Sequence, residues 1–434
     1  MRRTLPPMLR ALAHRNYRLW AAADLVSVTG SWMQILALNW LVLSRTGSAT
    51  SVGLAILLQA VPALLFGSWA GALADRLPPR RVLLCTQAMH GVLAAGLALL
   101  AADDGPLMAV YAISVLTGLL GVFEGPALGR FAARIVSRED LGNAMALGSI
   151  CNSTGRVLGM SLAGVLAAVV GVPLLFVLNA ISFLAVIAAV LAVRMDLLHP
   201  LATSTSARSG VRAGLRYLRA DRSLLTLFAL GFVLSSFGRN YQVTMAAMAD
   251  GVLHRGAAGY GALSTVFAVG TVIGGVISAR CSRLTPRLLV VTALATGLLQ
   301  ALSGLAPSLW SFALVMVPIA MGAVVIDTTL GTRAQLDTAE DMRGRVIAAQ
   351  SMVGAAAGAV GGPALGWFCE RIGAPATLGM AGSVVVAAAL LTAAALTKLR
   401  RDRAVPLPEP ALVGQLAPDV DDYSRLGAGA RSGG

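Results

Sequence analysis

The sequence predicts an all-α membrane protein in which twelve transmembrane helices form two parallel six-helix halves. Of its 434 residues, 57% are hydrophobic and 12% are charged. The mean hydropathy is +0.77, which is too apolar for a soluble domain of this length. Apolar runs of about 20 residues, the length that crosses a bilayer core, recur along the chain. The second half of the chain also repeats glycine and proline positions of the first.

The apolar runs give the expected spans in order. They lie near residues 17–43, 50–73, 82–101, 107–129, 143–168, 173–194, 223–249, 258–280, 286–305, 309–332, 345–368 and 375–397.

These runs divide the chain into segments. The expected domains are a cytoplasmic arm at 1–16, a first half at 17–194, a cytoplasmic linker with an amphipathic helix at 195–222, a second half at 223–397 and a disordered cytoplasmic tail at 398–434. The linker is expected to lie on the membrane because apolar positions there share a face opposite arginines.

Arginine and lysine residues are distributed as a membrane topology requires. Most of them fall in the N-terminus, the alternate hairpins and the C-terminal tail, whereas the opposite loops hold Arg45, Arg255 and Arg371. By the positive-inside rule, both termini are expected on the cytoplasmic side of the cytoplasmic (inner) membrane. The net charge of +14 is therefore attributed to topology, and no nucleic-acid partner is expected.

An internal repeat divides the spans into two halves. Gly159 recurs as Gly361 and Gly171 recurs as Gly373, at the same offset along the chain, and Gly30 recurs as Gly238 at a similar one. Repeats of this kind place a binding site near mid-membrane between the halves.

Polar residues inside the spans mark where that site is expected. Asp24, Ser27, Ser31 and Gln34 lie at spacings of three, four and three, so they share one face of span 1. A polar face within a span should line the bundle interior or a water-filled cavity. Hydrogen bonding between helices would explain the serines without any substrate, but it explains Asp24 poorly.

Charged residues fall inside other spans as well. A charge at bilayer depth costs about 2.5–3.5 kcal/mol on insertion scales, so Glu124 of span 4 and Arg156 of span 5 are expected to be paired or hydrated. Whether such a pair is functional or structural stays open. Span 7 carries Arg239, and span 10 carries Asp327, which matches Glu124 in the repeat.

The hairpin between spans 2 and 3 carries an acid in an unfavourable place. Asp75 stands at the C-terminal end of a helix, next to the negative end of the helix dipole, and therefore needs a positive partner. The candidates are Arg76, Arg80 and Arg81 in the same turn, or the N-terminus of another helix.

Several classes of function find no support in the residues. The four cysteines form no CxxC pair, the four histidines are isolated in the sequence, and the one lysine, Lys398, leaves no Walker A motif. We therefore expect no metal or other cofactor and no enzyme activity. A membrane enzyme or a non-transporting scaffold is a remote alternative.

Short strings along residues 10–400 resemble the major facilitator superfamily. They are Ser44-Arg-Thr-Gly-Ser48, the hairpin 71–81, Arg138-Glu-Asp-Leu141, Gly214-Leu-Arg-Tyr217 and Arg343-Gly-Arg-Val346. The branch that they resemble is the exporter branch of the enterobactin exporter and transmembrane secretion effector family.

The resemblance implies a major facilitator fold in which helices 1, 4, 7 and 10 line a central cavity. The candidate substrate or proton residues are Asp24, Ser31, Gln34, Glu124, Asn152, Arg156, Arg239, Asn240, Gln242 and Asp327. It also implies a conformational latch in which Asp75 contacts the N-terminus of helix 11. The candidate latch residues are Gly71, Asp75, Arg76, Arg80, Arg81 and Arg345.

The function implied is secondary active export by alternating access. The substrate would be a small organic molecule, such as a drug-like compound, a siderophore or another secondary metabolite, exchanged for protons by a monomer. Met160 follows Gly159 where the antiporter signature of the superfamily has proline, which weakens the expectation of proton antiport. An importer or uniporter of the same fold is the alternative. Acids in the cavity would suit a cationic substrate, whereas Arg156 and Arg239 would suit an anionic one.

Overall fold

The structure is a computed structural model that describes residues 7–74, 77–137, 139–198, 216–217, 219, 221–238, 240–281, 284–338 and 342–404. The first half begins with a 3-10 helix at Pro7–Ala13. Its six long helices are α1 (Arg15–Thr46), α2 (Ala49–Ala74), α3 (Pro79–Ala102), α4 (Leu107–Ile135), α5 (Leu141–Val169) and α6 (Val172–Ala192).

The second half contains a broken seventh helix and five long helices. They are α7a (Arg222–Phe237), α7b (Tyr241–Ala247) followed by a π-helix at Met248–Val252, α8 (Gly256–Arg280), α9 (Pro286–Ser303), α10 (Leu309–Leu336), α11 (Arg343–Ile372) and α12 (Ala374–Ala404). The twelve predicted spans correspond to these helices, with a break in the seventh, and the described residues confirm the prediction of an all-helical bundle of two repeated halves.

Ten of the described helices are long and apolar enough to cross a membrane. The other two members of the bundle are α5, which carries the polar stretch around Asn152 and Arg156, and the broken helix α7.

The prediction of one continuous span at 223–249 is wrong in detail, because α7 is interrupted after Phe237. Asn240 donates through Nδ2 to the carbonyl oxygens of Ser235 (3.1 Å) and Ser236 (2.9 Å), which caps the end of α7a. Gln300 donates to the freed carbonyl of Phe237 at 2.8 Å. Side-chain amides thus replace the lost helical hydrogen bonds, which makes a break tolerable inside a membrane.

The repeat seen in the sequence reappears in the backbone. Gly171 and Gly373 lie in the turns that follow α5 and α11, with φ of 84° and 82°, a conformation that L side chains rarely adopt. Packing is repeated too: a Cβ at Gly159 would lie 2.4 Å from the carbonyl oxygen of Thr29, and one at Gly361 would lie 2.1 Å from that of Ser236. In each half, a glycine of the fifth helix therefore lets the first helix approach closely.

The side of the bundle on which α1 begins and α6 finishes is called the terminal end. The opposite side, which carries the α1–α2 turn, is called the far end. At the far end the two halves are in backbone contact. A Cβ at Gly53 of α2 would lie 2.4 Å from the carbonyl oxygen of Gly362 on α11, and a Cβ at Gly164 of α5 would lie 2.6 Å from Cα of Gly261 on α8. Two repeat-related helix pairs therefore close this end.

Glycines of α11 nearer the terminal end have no such contacts. A Cβ at Gly354 or Gly358 would meet no atom of the described residues within 4 Å. Of the three glycines spaced four apart on α11, Gly362 therefore lies in a close helix contact, whereas Gly354 and Gly358 do not.

Candidate functional site

A cavity of about 510 Å³ lies in the terminal half of the bundle, surrounded by α1 to α6. Its lining combines two carboxylates, a histidine, several amides and three aromatic rings. The side chains used below are Asp24, Ser27, Ser31, Trp32, Gln34, Gln87, His90, Glu124, Asn152, Asn179 and Phe183. The polar face predicted on α1 lines this cavity along its length, as do the predicted residues Glu124 and Asn152.

Glu124 is held by two residues of α3. Its Oε2 lies 2.9 Å from Nε2 of His90, and its Oε1 accepts a hydrogen bond from Nε2 of Gln87 at 2.6 Å. The sequence analysis missed both partners and treated His90 as isolated. The available signal was their spacing, since Gln87 and His90 stand one turn apart in an otherwise apolar span.

Arg156, the expected partner of Glu124, has contacts across the half interface. Its guanidinium donates to the hydroxyl of Thr271 on α8 and lies over the ring of Trp32, 5.5 Å from the ring centroid. A cation over an indole face is stabilised by the ring quadrupole. Arg156 therefore joins α1, α5 and α8 beside the cavity.

An amide pair fixes the inner part of the cavity. Asn179 of α6 donates to Oε1 of Gln34 at 2.7 Å, and Ser182 donates to Oδ1 of Asn179 at 2.9 Å. A Cβ at Gly30 would lie 2.3 Å from Oδ1 of Asn179, so α1 and α6 are in close contact here. Gln34 is thus oriented by the neighbouring helix and does not point freely into the cavity.

The structure does not bring all predicted residues into this cavity. Asp327 lines a second, smaller cavity of about 250 Å³ within the second half, together with Ser235 of α7a and Gln350 and Gly354 of α11. Arg239 lies outside the described residues.

Two other predicted residues support the backbone and the contact between halves. Asn240 caps α7a as described above. Gln242 accepts a hydrogen bond at 3.4 Å from Asn39 of α1, which also donates to the hydroxyl of Tyr260 at 3.3 Å.

The predicted latch residues are only partly visible. Asp75 and Arg76 lie outside the described residues, and only the backbone of Gly71 and Arg345 is described, in α2 and α11. Arg80 donates to the carbonyl of Leu191 on α6 at 3.2 Å, and Arg81 is exposed. The visible contact of Arg80 is therefore within the first half.

At the far end, a carboxylate that the sequence analysis missed contacts a helix N-terminus. Glu370 of α11 accepts hydrogen bonds from the hydroxyl of Ser48 (2.5 Å) and the backbone N–H of Thr50 (2.9 Å). Ser48 in turn accepts a hydrogen bond from the N–H of Ser51, in the first turn of α2. The second half therefore caps a helix of the first.

A second histidine–carboxylate pair ties the N-terminal segment to the start of α5. His14 Nε2 lies 2.9 Å from Oδ2 of Asp140, and Arg10 lies 3.5 Å from Oδ1. The hydrogen bond with His14 is the main cause that lowers the pKa of Asp140. Unlike the His90 pair, this one is outside the cavity.

The described residues include no group of three His, Cys, Asp or Glu side chains placed to hold a metal ion. The cysteines within them form no disulfide.

Comparisons with known proteins give a consistent result. Residues 7–419 match the family described as transmembrane secretion effector. The chain is 25% identical over 397 residues to the enterobactin exporter EntS of Shigella boydii serotype 18, covering 91% of this chain and 94% of that protein. It is 22% identical over 250 residues to the staphyloferrin A transporter of Staphylococcus aureus, covering 57% of this chain and 63% of that protein.

A solved structure shares the fold. It is a bacterial homologue of the human lysosomal transporter Spinster in an inward-facing, unoccupied conformation, with a TM-score of 0.65 and 14% identity over 88% of this chain and 96% of that one. These matches are to transporters, in agreement with the prediction that the chain is not an enzyme.

Proposed function

This chain belongs to the transmembrane secretion effector family of major facilitator transporters, and we propose that it is a secondary active exporter that exchanges a small organic molecule for protons by alternating access. Its multi-pass membrane character and its membership of a transporter family are the premises. The direction, the coupling ion and the substrate class are the proposal.

The observation that carries the proposal is the cavity of α1 to α6, together with the closed far end. A cavity of about 510 Å³ accommodates a small organic molecule. Contacts at Gly53–Gly362 and Gly164–Gly261 join the two halves at the far end, while glycines of α4 and α11 face open space toward the terminal end. With cytoplasmic termini, this is a conformation that accepts substrate from the cytoplasm.

The cavity lining favours one of the two substrate charges left open by the sequence. Asp24 and Glu124 line it with amides and aromatic rings, and the lining residues that the structure describes include no Arg or Lys. A cationic or neutral amphipathic molecule would place its charge on the acids and its apolar part on Trp32 and Phe183. The relatives named for siderophores, one an exporter and one a transporter, make a siderophore a competing candidate.

Proton exchange is supported by the chemistry of the same lining. A carboxyl group in a low-dielectric cavity is favoured in its protonated form, and a cation bound there would favour the ionised form. A proton and a cationic substrate would therefore exclude each other, as exchange requires.

Inverted membrane vesicles with an acidic interior test the proposal. We would add ethidium as an organic cation, or enterobactin or staphyloferrin A as siderophores, and follow the internal pH with a fluorescent dye. If the protein exchanges substrate for protons, either the organic cation or the siderophores should collapse the pH gradient, and only in vesicles that contain the protein. Uptake without proton movement would instead indicate a uniporter, and counterflow of labelled substrate would identify it.

A further inference from the structure

His90 and Glu124 form a titratable pair within the cavity, in which the histidine is buried and the carboxylate is half-buried. The Nε2–Oε2 distance is 2.9 Å, and the two side chains are 10% and 21% exposed. The ring of His90 stacks on Phe183 of α6 with centroids 5.4 Å apart and an interplanar angle of 18°. Gln87 completes the group by donating to the other carboxylate oxygen. The pair is thus held by α3, α4 and α6 at once.

Two further charged residues lie near the pair. One is an acid that lines the cavity, and the other is a cation beside the cavity. Asp24 faces the cavity from α1, and Arg156 of α5 is engaged with Thr271 and Trp32. The sequences of α2 and α6 contain no charged residue. In addition, Oε1 of Gln87 is buried without a hydrogen-bond partner among the described residues, so this polar group has unused capacity beside the pair.

We propose that His90 and Glu124 together form the proton-accepting site of transport, with the exchanged proton on the imidazole. This inference rests on the proposed proton exchange and assigns it to a residue pair. Neutral His90 can donate through Nε2 to ionised Glu124, and uptake of a proton at Nδ1 keeps that hydrogen bond. The pair changes its charge from −1 to 0 without breaking its contact.

The charge change links the pair to the movement of the halves. Closing the terminal end removes water from the cavity, and ionised groups in low dielectric are disfavoured. Loss of one negative charge, through a proton on the pair or a cation bound to it, therefore favours closure. A cavity that holds neither the proton nor a bound cation stays open to the cytoplasm. The empty protein therefore does not change conformation, as obligatory exchange requires.

Because proton uptake by the pair favours closure, the conformational equilibrium of the substrate-free protein should respond to pH. This response needs no knowledge of the substrate.

The experiment uses the full chain with its four cysteines replaced by alanine. Spin labels at Glu139→Cys and Leu336→Cys, exposed positions near the terminal end of the two halves, report its closure by pulsed electron resonance distances. When the pH is lowered from 8 to 5, we expect the population with a closed terminal end to rise in the labelled protein whose cavity is unchanged. One linked proton allows a rise of at most about tenfold per pH unit. H90Q should abolish this pH-dependent rise in closure, which we call the pH step.

A matched control is available because His14 forms a pair with Asp140 of the same 2.9 Å length outside the cavity. H14Q should keep the step. E124Q is the second test variant, because it removes the carboxylate charge and keeps the histidine. It tests the pair independently if H90Q does not fold. A step that persists in H90Q or E124Q, or its absence from the wild type, overturns the assignment.

Failure of the proposed function would look different. Vesicles that move substrate without protons would refute exchange even if the pH step were present. A missing pH step in a protein that exchanges protons would refute only the role of the pair.

Discussion

Glu370 of α11 accepts a hydrogen bond from the backbone N–H of Thr50 at 2.9 Å, so an acid of the second half caps the first turn of α2 in the first half. These two helices run antiparallel and are in backbone contact at the far end. The family resemblance implies a related contact at the other end, between Asp75, which follows α2 in the sequence and lies outside the described residues, and the N-terminus of α11. One helix pair would then carry a carboxylate latch at each end.

Glu370→Gln should loosen the far end. Glutamine can still accept both hydrogen bonds, but it loses the charge that favours a helix N-terminus, typically about 0.3–1 kcal/mol. Spin labels at Asp103→Cys and Val252→Cys would show a larger open population. The control is Asp104→Asn, since Asp104 is 92% exposed and pairs with Arg45 of its own half. An equal shift in both variants would argue against a latch.

Gly366→Ala should separate α2 from α11. Its Cβ would lie 2.4 Å from the carbonyl oxygen of Ala49, a backbone atom that cannot move alone. We expect a loss of about 1–3 kcal/mol in stability, seen as a lower thermal midpoint. Gly358→Ala on the same helix meets no atom and should leave stability unchanged or raise it by up to about 1 kcal/mol. Similar midpoints for the two variants would contradict the close contact.

Amide variants separate the two cavities. If Glu124 takes part in coupling, E124Q should exchange substrate between equal concentrations but fail to concentrate it against a gradient. D327N, in the second cavity, is the comparison. Loss of uphill transport in D327N alone would move the coupling site to the second half, and retention in both would move it to Asp24 or elsewhere.

Asp75→Asn tests the latch that the family resemblance implies. Transport should fall while expression and substrate affinity stay nearly unchanged, because a latch affects the rate of alternation and not the cavity. Asp337→Asn is the control, as Asp337 pairs with Arg333 of its own helix at 2.9 Å. Normal transport by D75N would rule the latch out.

Arg239→Glu tests whether this arginine sets the charge preference for substrates. The matching position in the first half, Ser31, is uncharged, so the arginine is less suited to packing shared by both halves. A substrate contact predicts a folded protein with a preference shifted toward cations. A structural ion pair predicts misfolding that a reciprocal Asp→Arg change rescues. Thermal stability and a panel of charged substrates distinguish these outcomes, and a stable variant with unchanged preference would refute both.

The sequence by itself determined the fold, because bilayer crossing needs long apolar runs and because the repeat left its glycines at matching positions. It also determined that Asp24, Ser27, Ser31 and Gln34 share a face, since spacing alone fixes a helical face.

Only the tertiary structure decided which faces meet. Glu124 pairs with His90, 34 positions away, and Glu370 reaches Ser48 in the other half, because helix packing brings distant residues together without a periodic signal in the chain. It also separated Asp327 from the larger cavity, although the repeat relates it to Glu124. Equivalent positions in two halves need not share a site, since each half forms its own cavity from its own side chains.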